Sequence, residues 1–442
     1  MHIGLTAAVR FDEPSQRAIP VIGLYYLVSF THKYGKGINV SVYKTPEEVI
    51  EAKPDLVGIS SVTENMNIAI KWAEKFRDEL DVPVIIGGDH ISALPHTLPD
   101  VFDIGVIGEG EETFLELVEL IKNDKNWRKS LEKIKGICFH REGKVEITGS
   151  RSLITPIEKI PFPRREKDVW GGFHYCFTSR GCPYHCTFCS PATIWKRYRP
   201  FPADYVVKEI SEIFKHFDPY YIHFFDDLFI GDRKRISDLQ RLFRKTGLHM
   251  KVPFGGHIRA DLMDDSICED LRRMNFVSGS FGAESGSDKI LKFLKCGTTT
   301  VEMNQKAIDM CYKWGIQLNI SFIIGTPGET EEDIKKTIDF IEKNRKKLIG
   351  IEIFIVLPYP GTPLWTLSKR KGLVSDNMDW EKFKTKAWFS DLEVDDDYLY
   401  INEDMDWTTF KKYIKIFQKI DADFNRNNKG IYENIEKSVK IS

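Results

Sequence analysis

The sequence predicts an α/β protein: a Rossmann-like domain, then a partial (β/α)6 barrel, then a C-terminal helical tail. Three observations predict it. From His2 to about Lys125 short apolar runs alternate with amphipathic segments, the pattern of parallel strands joined by helical crossovers. From Gly172 onward six more apolar runs recur, each but the last followed by a helical pattern, too few to close an eight-strand barrel. Between these series the stretch from Gly181 to Ser190, GCPYHCTFCS, crowds Cys182, Cys186 and Cys189 together.

A chain of 442 residues is longer than one core usually supports. The expected division is a first domain over residues 1–145, a linker over 146–171, a barrel over 172–375 and a helical region that caps the substrate over 376–442. The net charge of −2, with charged residues spread throughout, leaves no footprint for general nucleic-acid binding. The eight cysteines, at 138, 176, 182, 186, 189, 268, 296 and 311, show no paired framework, and no basic leader with an apolar run opens the chain. A reducing cytoplasm is the expected compartment. The apolar run 21–30 is about half of the roughly 20 residues a membrane span needs, so it reads as a buried helix and no membrane span is expected.

In the first domain strands are expected at 2–8, 39–43, 55–60, 84–87 and 103–107, with helices at 20–34, 46–52, 65–80 and 111–121. The third and fourth strands end in Ser60-Ser61 and Gly87-Gly88, at the carboxyl edge where doubly wound sheets bind ligands. Small residues there let a large ligand approach the backbone. His90 reads as a solvated turn histidine ahead of a metal ligand. A hairpin-like segment at 136–147 and a strap spaced by Pro156, Pro161 and Pro163 separate this domain from the next; prolines at that density favour extended chain.

In the second domain the runs lie near 173–179, 220–226, 250–257, 277–284, 317–324 and 350–357, with the cysteine loop after the first. Functional residues of such a barrel gather at the carboxyl ends of its strands. The second run, YYIHFFDD, ends in Asp226 and Asp227, a pair that on its own is more often a turn or helix cap. The third runs into GGHIRAD, where His257 and Arg259 share one face if the strand continues. Arg259 is shaped to fork onto a carboxylate; an inter-strand ion pair is the structural alternative. The fourth ends in GAESGS, with Glu284 and Ser285 among glycines that allow close backbone approach, and a buried ion pair of Glu284 as the alternative. The fifth gives ISFIIGTPGET, in which Glu329 is expected to cap the helix from Thr330, and the sixth ends in LPYPGTPLW. In the tail an acidic stretch, 391–406, precedes a helix whose apolar face, Phe410, Tyr413, Ile414, Ile416, Phe417 and Ile420, is expected to pack on a domain. Its lysines 411, 412, 415 and 419 leave a membrane-surface helix as the alternative.

Three thiols this close suit a metal. Gaps of three and then two residues do not suit a closed zinc site, which uses C-x-x-C pairs and a fourth ligand; a zinc knuckle completed by Cys176 is the structural alternative. The spacing C-x-x-x-C-x-aromatic-C, with Phe188 before the last cysteine, resembles the signature of radical S-adenosylmethionine (SAM) enzymes. That resemblance implies a 4Fe-4S cluster on Cys182, Cys186 and Cys189, one iron left open for the amino and carboxylate groups of SAM, and reductive cleavage of SAM to a 5'-deoxyadenosyl radical. It further implies SAM contacts at Phe188, at Asp226 and Asp227 for the amino group, at Arg259 for a carboxylate, at Glu284 and Ser285 near the ribose, and at Ile324 and Gly325 along the adenine. His257 is the candidate substrate contact.

The stretches PDLVGISSVTEN, VPVIIGGDHISALPHTL and FDIGVIGEGEETF together resemble the cobalamin-binding domain that precedes the radical domain in one large subclass, and PIEKIPFPRR is similar to its interdomain strap. The implied cobalamin contacts are Ser60, Ser61, Thr63, Gly87, Gly88, Gly108 and Glu109. The loop after the first strand reads Ala7-Ala8-Val9-Arg10 and lacks the D-x-H-x-x-G motif, so no histidine ligand to cobalt is implied, and a structural Rossmann-like relic is the alternative. The resemblance implies cobalamin-dependent C-methylation of an unactivated carbon in a small-molecule or peptide substrate, with an electron donor such as flavodoxin or ferredoxin. The alternatives are radical oxidation, cyclisation or rearrangement without methyl transfer, and a non-catalytic metal-binding protein.

Overall fold

The computed structural model describes residues 1–11, 20–166, 172–195, 197–383, 385–386, 389–396 and 398–439. The expected linker's last residues, 167–171, lie outside them. The chain divides into two units, one made of Met1–Val169, Thr193–Trp195 and Tyr359–Lys384, the other of Trp170–Ala192, Lys196–Pro358 and Thr385–Ser442.

The first unit is built on β1 (His2–Ala7), β2 (Asn39–Val42), β3 (Leu56–Ser60), β4 (Val84–Gly87), β5 (Ile104–Val106), β6 (Ile137–Arg141) and β7 (Lys144–Ile147), in the order β2-β1-β3-β4-β5-β6-β7. The first five are parallel, as their short unbroken apolar runs require of strands buried on both faces. The helix Met66–Leu80 turns Met66, Ala69, Ala73 and Phe76 inward at helical spacing. The segment 136–147 does more than separate two domains. Ile137, Cys138 and Phe139 are fully buried, and β6 pairs antiparallel with β5 to extend the sheet. Gly105 permits this pairing, because a Cβ there would stand 2.5 Å from the Cys138 sulfur.

The segment Tyr359–Lys384 also belongs to the first unit, so the division falls elsewhere than at the expected boundary after 375. Asn67 donates to Asp379 at 2.8 Å, and His96 meets Asp376 at 2.9 Å. Trp380 lies edge-on to His90 with ring centroids 4.5 Å apart. His90 is therefore not a solvated turn residue. It is 1% exposed, touches Thr63 at 3.3 Å, and burial lowers its pKa to about 4.

The second unit is built on β8 (Phe173–Cys176), the short β9 (Ser179–Arg180) and β10 (Arg199–Pro200), then β11 (Tyr221–Phe224), β12 (Phe254–His257), β13 (Phe276–Glu284), β14 (Gln317–Ile324) and β15 (Gly350–Ile355). Its main sheet has six parallel strands in chain order, β8-β11-β12-β13-β14-β15, with β8 and β15 as edges. One face is buried. The other carries, in register, Tyr175, His223, His257, Ser280, Asn319, Ser321 and Glu352. Glu352 lies within electrostatic reach of His257, although three strand spacings of a flat sheet are about 14 Å. The sheet curls around this polar face.

The helix Trp407–Val439 packs Phe410, Tyr413, Ile414, Phe417 and Ile420 inward. Ile416 departs from the expected face at 43% exposure, one step too far around the helix. The turn before it clamps the loop after β14: Asn402 donates to the Glu329 carbonyl at 2.8 Å, and the Gly328 amide donates to Asp404 at 3.0 Å. Among the described residues no helix is long and apolar enough to cross a membrane.

Candidate functional site

The cysteine loop is pinned before it begins. β9 and β10 pair antiparallel across it, Arg180 opposite Arg199 and Ser179 opposite Pro200, so the loop leaves and returns on one two-stranded clamp. Beneath the clamp lies Asp226, 0% exposed. Its carboxylate accepts from the Thr178 amide at 2.5 Å, the Ser179 amide at 3.1 Å and the Ser179 hydroxyl at 2.9 Å, and it also accepts from the Thr178 hydroxyl. Arg235 donates to the Thr178 carbonyl at 3.0 Å and lies 3.8 Å from the Asp226 carboxylate. Every lone pair of Asp226 faces the fold. Its expected role toward a SAM amino group is corrected to that of a strut, and the acid beside the loop with solvent access is Asp227.

Cys182, Cys186 and Cys189 are unpaired thiols. Burial pushes Cys182 and Cys189 up, and the neighbouring sulfurs and Asp227 push them further. Among the described residues no three His, Cys, Asp or Glu side chains meet as ligands of a single ion would, and Cys176 is 1% exposed on β8. Three thiols on one loop with no fourth His, Cys, Asp or Glu ligand among the described residues fit a cluster that leaves one iron open, whereas a closed zinc site needs four ligands.

Around the loop stand residues that the sequence did not single out. The Thr187 amide donates to the Leu294 carbonyl at 2.9 Å, tying the loop to the turn that ends the helix Asp288–Leu294 after β13. From that turn Lys295 pairs with Glu284 at 2.7 Å, both side chains almost wholly buried. Glu284 therefore realises its structural alternative, an ion pair, though with a lysine in place of a barrel arginine. Ser285 is 0% exposed and bonds Thr337 at 3.1 Å within the core. Phe188 is half-buried within the loop.

Arg259 meets no open space. Its Nη1 donates to the Cys186 sulfur at 3.7 Å, its Nη2 donates to Thr299 at 3.0 Å, and its Nε pairs with Asp261 at 2.6 Å. The guanidinium lies 3.5 Å from the centre of the Tyr184 ring. His257 remains on the polar face. Its Nδ1 is 2.9 Å from the Asp226 carbonyl oxygen; a carbonyl only accepts, so Nδ1 bears the proton and Nε2 is the acceptor of the neutral ring. His223 stands edge-on to it at 5.4 Å, its pKa lowered to about 3 by burial and then by His257.

Ile324 is 0% exposed, and Gly325 is roofed by Phe410. Neither presents surface along which an adenine could lie. Glu329 is not the helix cap: Thr330 and Asp333 form that capping box. Glu329 is itself 0% exposed; its Oε2 accepts from the Gly325 amide at 2.6 Å and the Thr326 amide at 3.3 Å, its Oε1 has no partner, and burial raises its pKa to about 8.

In the first unit the carboxyl ends of β3, β4 and β5 meet. The Ser61 amide donates to the Gly87 carbonyl at 3.0 Å, and the Gly108 amide donates to the Ser92 hydroxyl at 2.9 Å. Gly88, at φ 107°, lies so close to Ser61 that a Cβ would stand 2.4 Å from its carbonyl oxygen. Gly108, at φ 75°, opens onto space free of heavy atoms within 4 Å of a Cβ. Ser60 is half-buried at the strand end. Ser61 and Thr63 are buried, and Glu109 holds the Ile154 amide at 2.7 Å, so these three brace the edge from inside. The surface left for a large flat ligand is the backbone at Gly108, which fits a corrinoid held by main chain and shape.

Comparison with known proteins agrees with this geometry. Residues 176–341 match the radical SAM superfamily and residues 19–118 the B12 binding domain. An uncharacterized methyltransferase of Pyrococcus horikoshii is 30% identical over 385 residues, covering 83% of this chain and 82% of that protein. The cytidylyl-2-hydroxyethylphosphonate methyltransferase of Streptomyces wedmorensis is 27% identical over 372 residues, covering 73% and 68%. Among solved structures, the cobalamin-dependent SAM radical enzyme OxsB with aqua-cobalamin bound superposes with a TM-score of 0.76 at 20% identity, covering 100% of this chain and 71% of that one. A cysteine loop on a six-stranded parallel sheet, preceded by a B12-type sheet, defines a radical SAM protein. The chain belongs to the cobalamin-binding branch of that superfamily.

Proposed function

We propose that this enzyme is a cobalamin-dependent radical SAM methyltransferase acting on an unactivated carbon of a small molecule. One observation carries the reading: a single chain joins a braced three-cysteine loop to a B12-type sheet whose edge is open at Gly108, in a protein whose relatives bear methyltransferase names. Bound together, the cofactors would supply a deoxyadenosyl radical that abstracts hydrogen and a methyl group for the resulting carbon radical.

The chain's own part is to hold and orient. Cys182, Cys186 and Cys189 hold the cluster on the β9–β10 clamp, and Phe188 walls it. Asp227, exposed beside these thiols, is the candidate acceptor for the SAM amino group. On the polar face His257 presents Nε2 as an acceptor, so it orients a substrate through an N–H or O–H group. Positioning of this kind is where such a site gains most of its rate. The eight cysteines form no disulfide, which suits a reducing cytoplasm, where a flavodoxin or ferredoxin would supply the electron.

The test is anaerobic purification from cobalamin-supplied cells with iron, zinc and cobalt analysis of one sample. The expected result is about four irons per chain, as a 4Fe-4S cluster requires, and one cobalt. Incubation with SAM and reductant should then give S-adenosylhomocysteine beside 5'-deoxyadenosine, and Cys186→Ala should lose iron and SAM cleavage together. Iron without cobalt, and no S-adenosylhomocysteine, would favour a radical reaction without methyl transfer. Zinc alone, persisting after reconstitution with iron and sulfide, would end the reading.

A further inference from the structure

We infer that Arg259 sets the reduction potential of the cluster by donating a charged hydrogen bond to the sulfur of Cys186, and that Asp261 counterbalances it. The inference rests on the reading that Cys186 is a cluster ligand. Its warrant is the geometry of the guanidinium, which is 8% exposed: Nη1 donates to the Cys186 sulfur at 3.7 Å, Nη2 donates to Thr299 at 3.0 Å, Nε makes no hydrogen bond but lies 2.6 Å from the Asp261 carboxylate as an ion pair, and one face rests on Tyr184. Tyr184 in turn donates to Asp261 at 3.0 Å, which fixes the acid as well. An arginine so committed has no fork left for a ligand carboxylate. What remains is one N–H aimed at a ligating sulfur, with a full positive charge behind it in a poorly solvated place.

Reduction adds one electron, taken from a low-potential flavin or iron-sulfur carrier or from dithionite, and carries the cluster from the 2+ to the 1+ state with no bond made or broken. Hydrogen bonds to ligand sulfurs and nearby net charge are the protein's levers on that step. A cation and a donor at the sulfur both stabilise the reduced state and raise the potential; Asp261, a fixed anion on the same guanidinium, opposes the first effect. Arg259 is a positioning and tuning residue here, acting through Cys186.

The experiment is a redox titration of the anaerobically reconstituted full chain, followed by the electron paramagnetic resonance signal of the reduced cluster, for wild type, Arg259→Met, Arg259→Lys and Asp261→Asn. Arg259→Met should lower the midpoint, so that the fraction reduced at a fixed dithionite potential falls several-fold. Arg259→Lys should lie between, keeping charge but losing the rigid fork, and Asp261→Asn should raise the midpoint. Unchanged midpoints, or shifts of one sign in Arg259→Lys and Asp261→Asn, would overturn the inference; these two variants decide it if Arg259→Met fails to hold iron. A rise in the SAM dissociation constant with no change in midpoint would return Arg259 to ligand binding and overturn it as well. A wild-type chain with no cluster signal would instead show that the cluster assignment had failed, and the inference with it.

Discussion

Glu284 and Lys295 pair at 2.7 Å with both side chains below one-tenth exposure, and Glu284 holds a left-handed backbone at φ 59°. A pair this deep gains from each partner mainly because the other is there. Removing one leaves a buried charge uncompensated, at about 3–5 kcal/mol. Glu284→Ala should therefore lower stability by that order, and Glu284→Gln with Lys295→Met should restore much of it. Urea unfolding of the single and double variants checks this; additive losses would mean the two residues do not act as a pair.

Glu329 gives a pH dependence with a defined sign. Its folded pKa of about 8 lies above the ordinary carboxylate value of 4.5, so between these values the folded chain holds a proton that the unfolded chain has lost. Stability therefore falls as pH rises through this window, by about 3 kcal/mol by pH 7 from this group alone. Glu329→Gln should flatten the slope and raise the melting temperature at pH 8 relative to wild type. Parallel melting curves from pH 5 to 8 in the two proteins would refute the prediction.

Gly325 and Phe410 make a second sensitive contact. Gly325 sits at φ 80°, and a Cβ there would stand 2.9 Å from the Phe410 ring. Gly325→Ala should cost about 2–4 kcal/mol, joining backbone strain to overpacking. Phe410→Leu in the same chain should recover the steric part and leave the strain. Equal unfolding midpoints for Gly325→Ala with and without Phe410→Leu would count against this contact.

Trp380 holds the returning segment to the first stretch of the unit through His90, 4.5 Å between ring centroids. Trp380→Ala should cost about 3–5 kcal/mol and let His90 regain part of its ordinary pKa. Histidine carbon-proton shifts followed against pH report that titration directly; a resonance still fixed near pKa 4 would show that Trp380 is not what buries His90.

Both sheets were legible because buried parallel strands write themselves as short, unbroken apolar runs, and the cysteine loop because its spacing is a chemical requirement. The hairpin at 136–147 was seen but not its pairing, since nothing local says which edge an antiparallel strand joins. At the site each departure has its own physical cause. Asp226 and Asp227 are neighbours, and at a strand end one residue of alternation decides which enters the fold. Arg259 carried the right chemistry for a carboxylate, but Asp261, Tyr184 and Cys186 reach it from different segments. Lys295 and Arg235 had no signature, because an ion pair across a turn or from a neighbouring helix leaves no period in the chain. Gly325 looks like an open strand end in the sequence because Phe410 of the tail helix, which covers it, is nearly 90 residues away.

The first unit takes its residues from two distant parts of the chain, Met1–Val169 and Tyr359–Lys384. A gene fragment cut after the seventh strand would encode every strand of that sheet, yet it would leave out Trp380, Asp376 and Asp379. Recombination that swapped front halves between relatives would separate each sheet from its own covering segment. The two cofactor-binding parts are thus inherited as one interleaved piece, and an exchange that works must carry both stretches together.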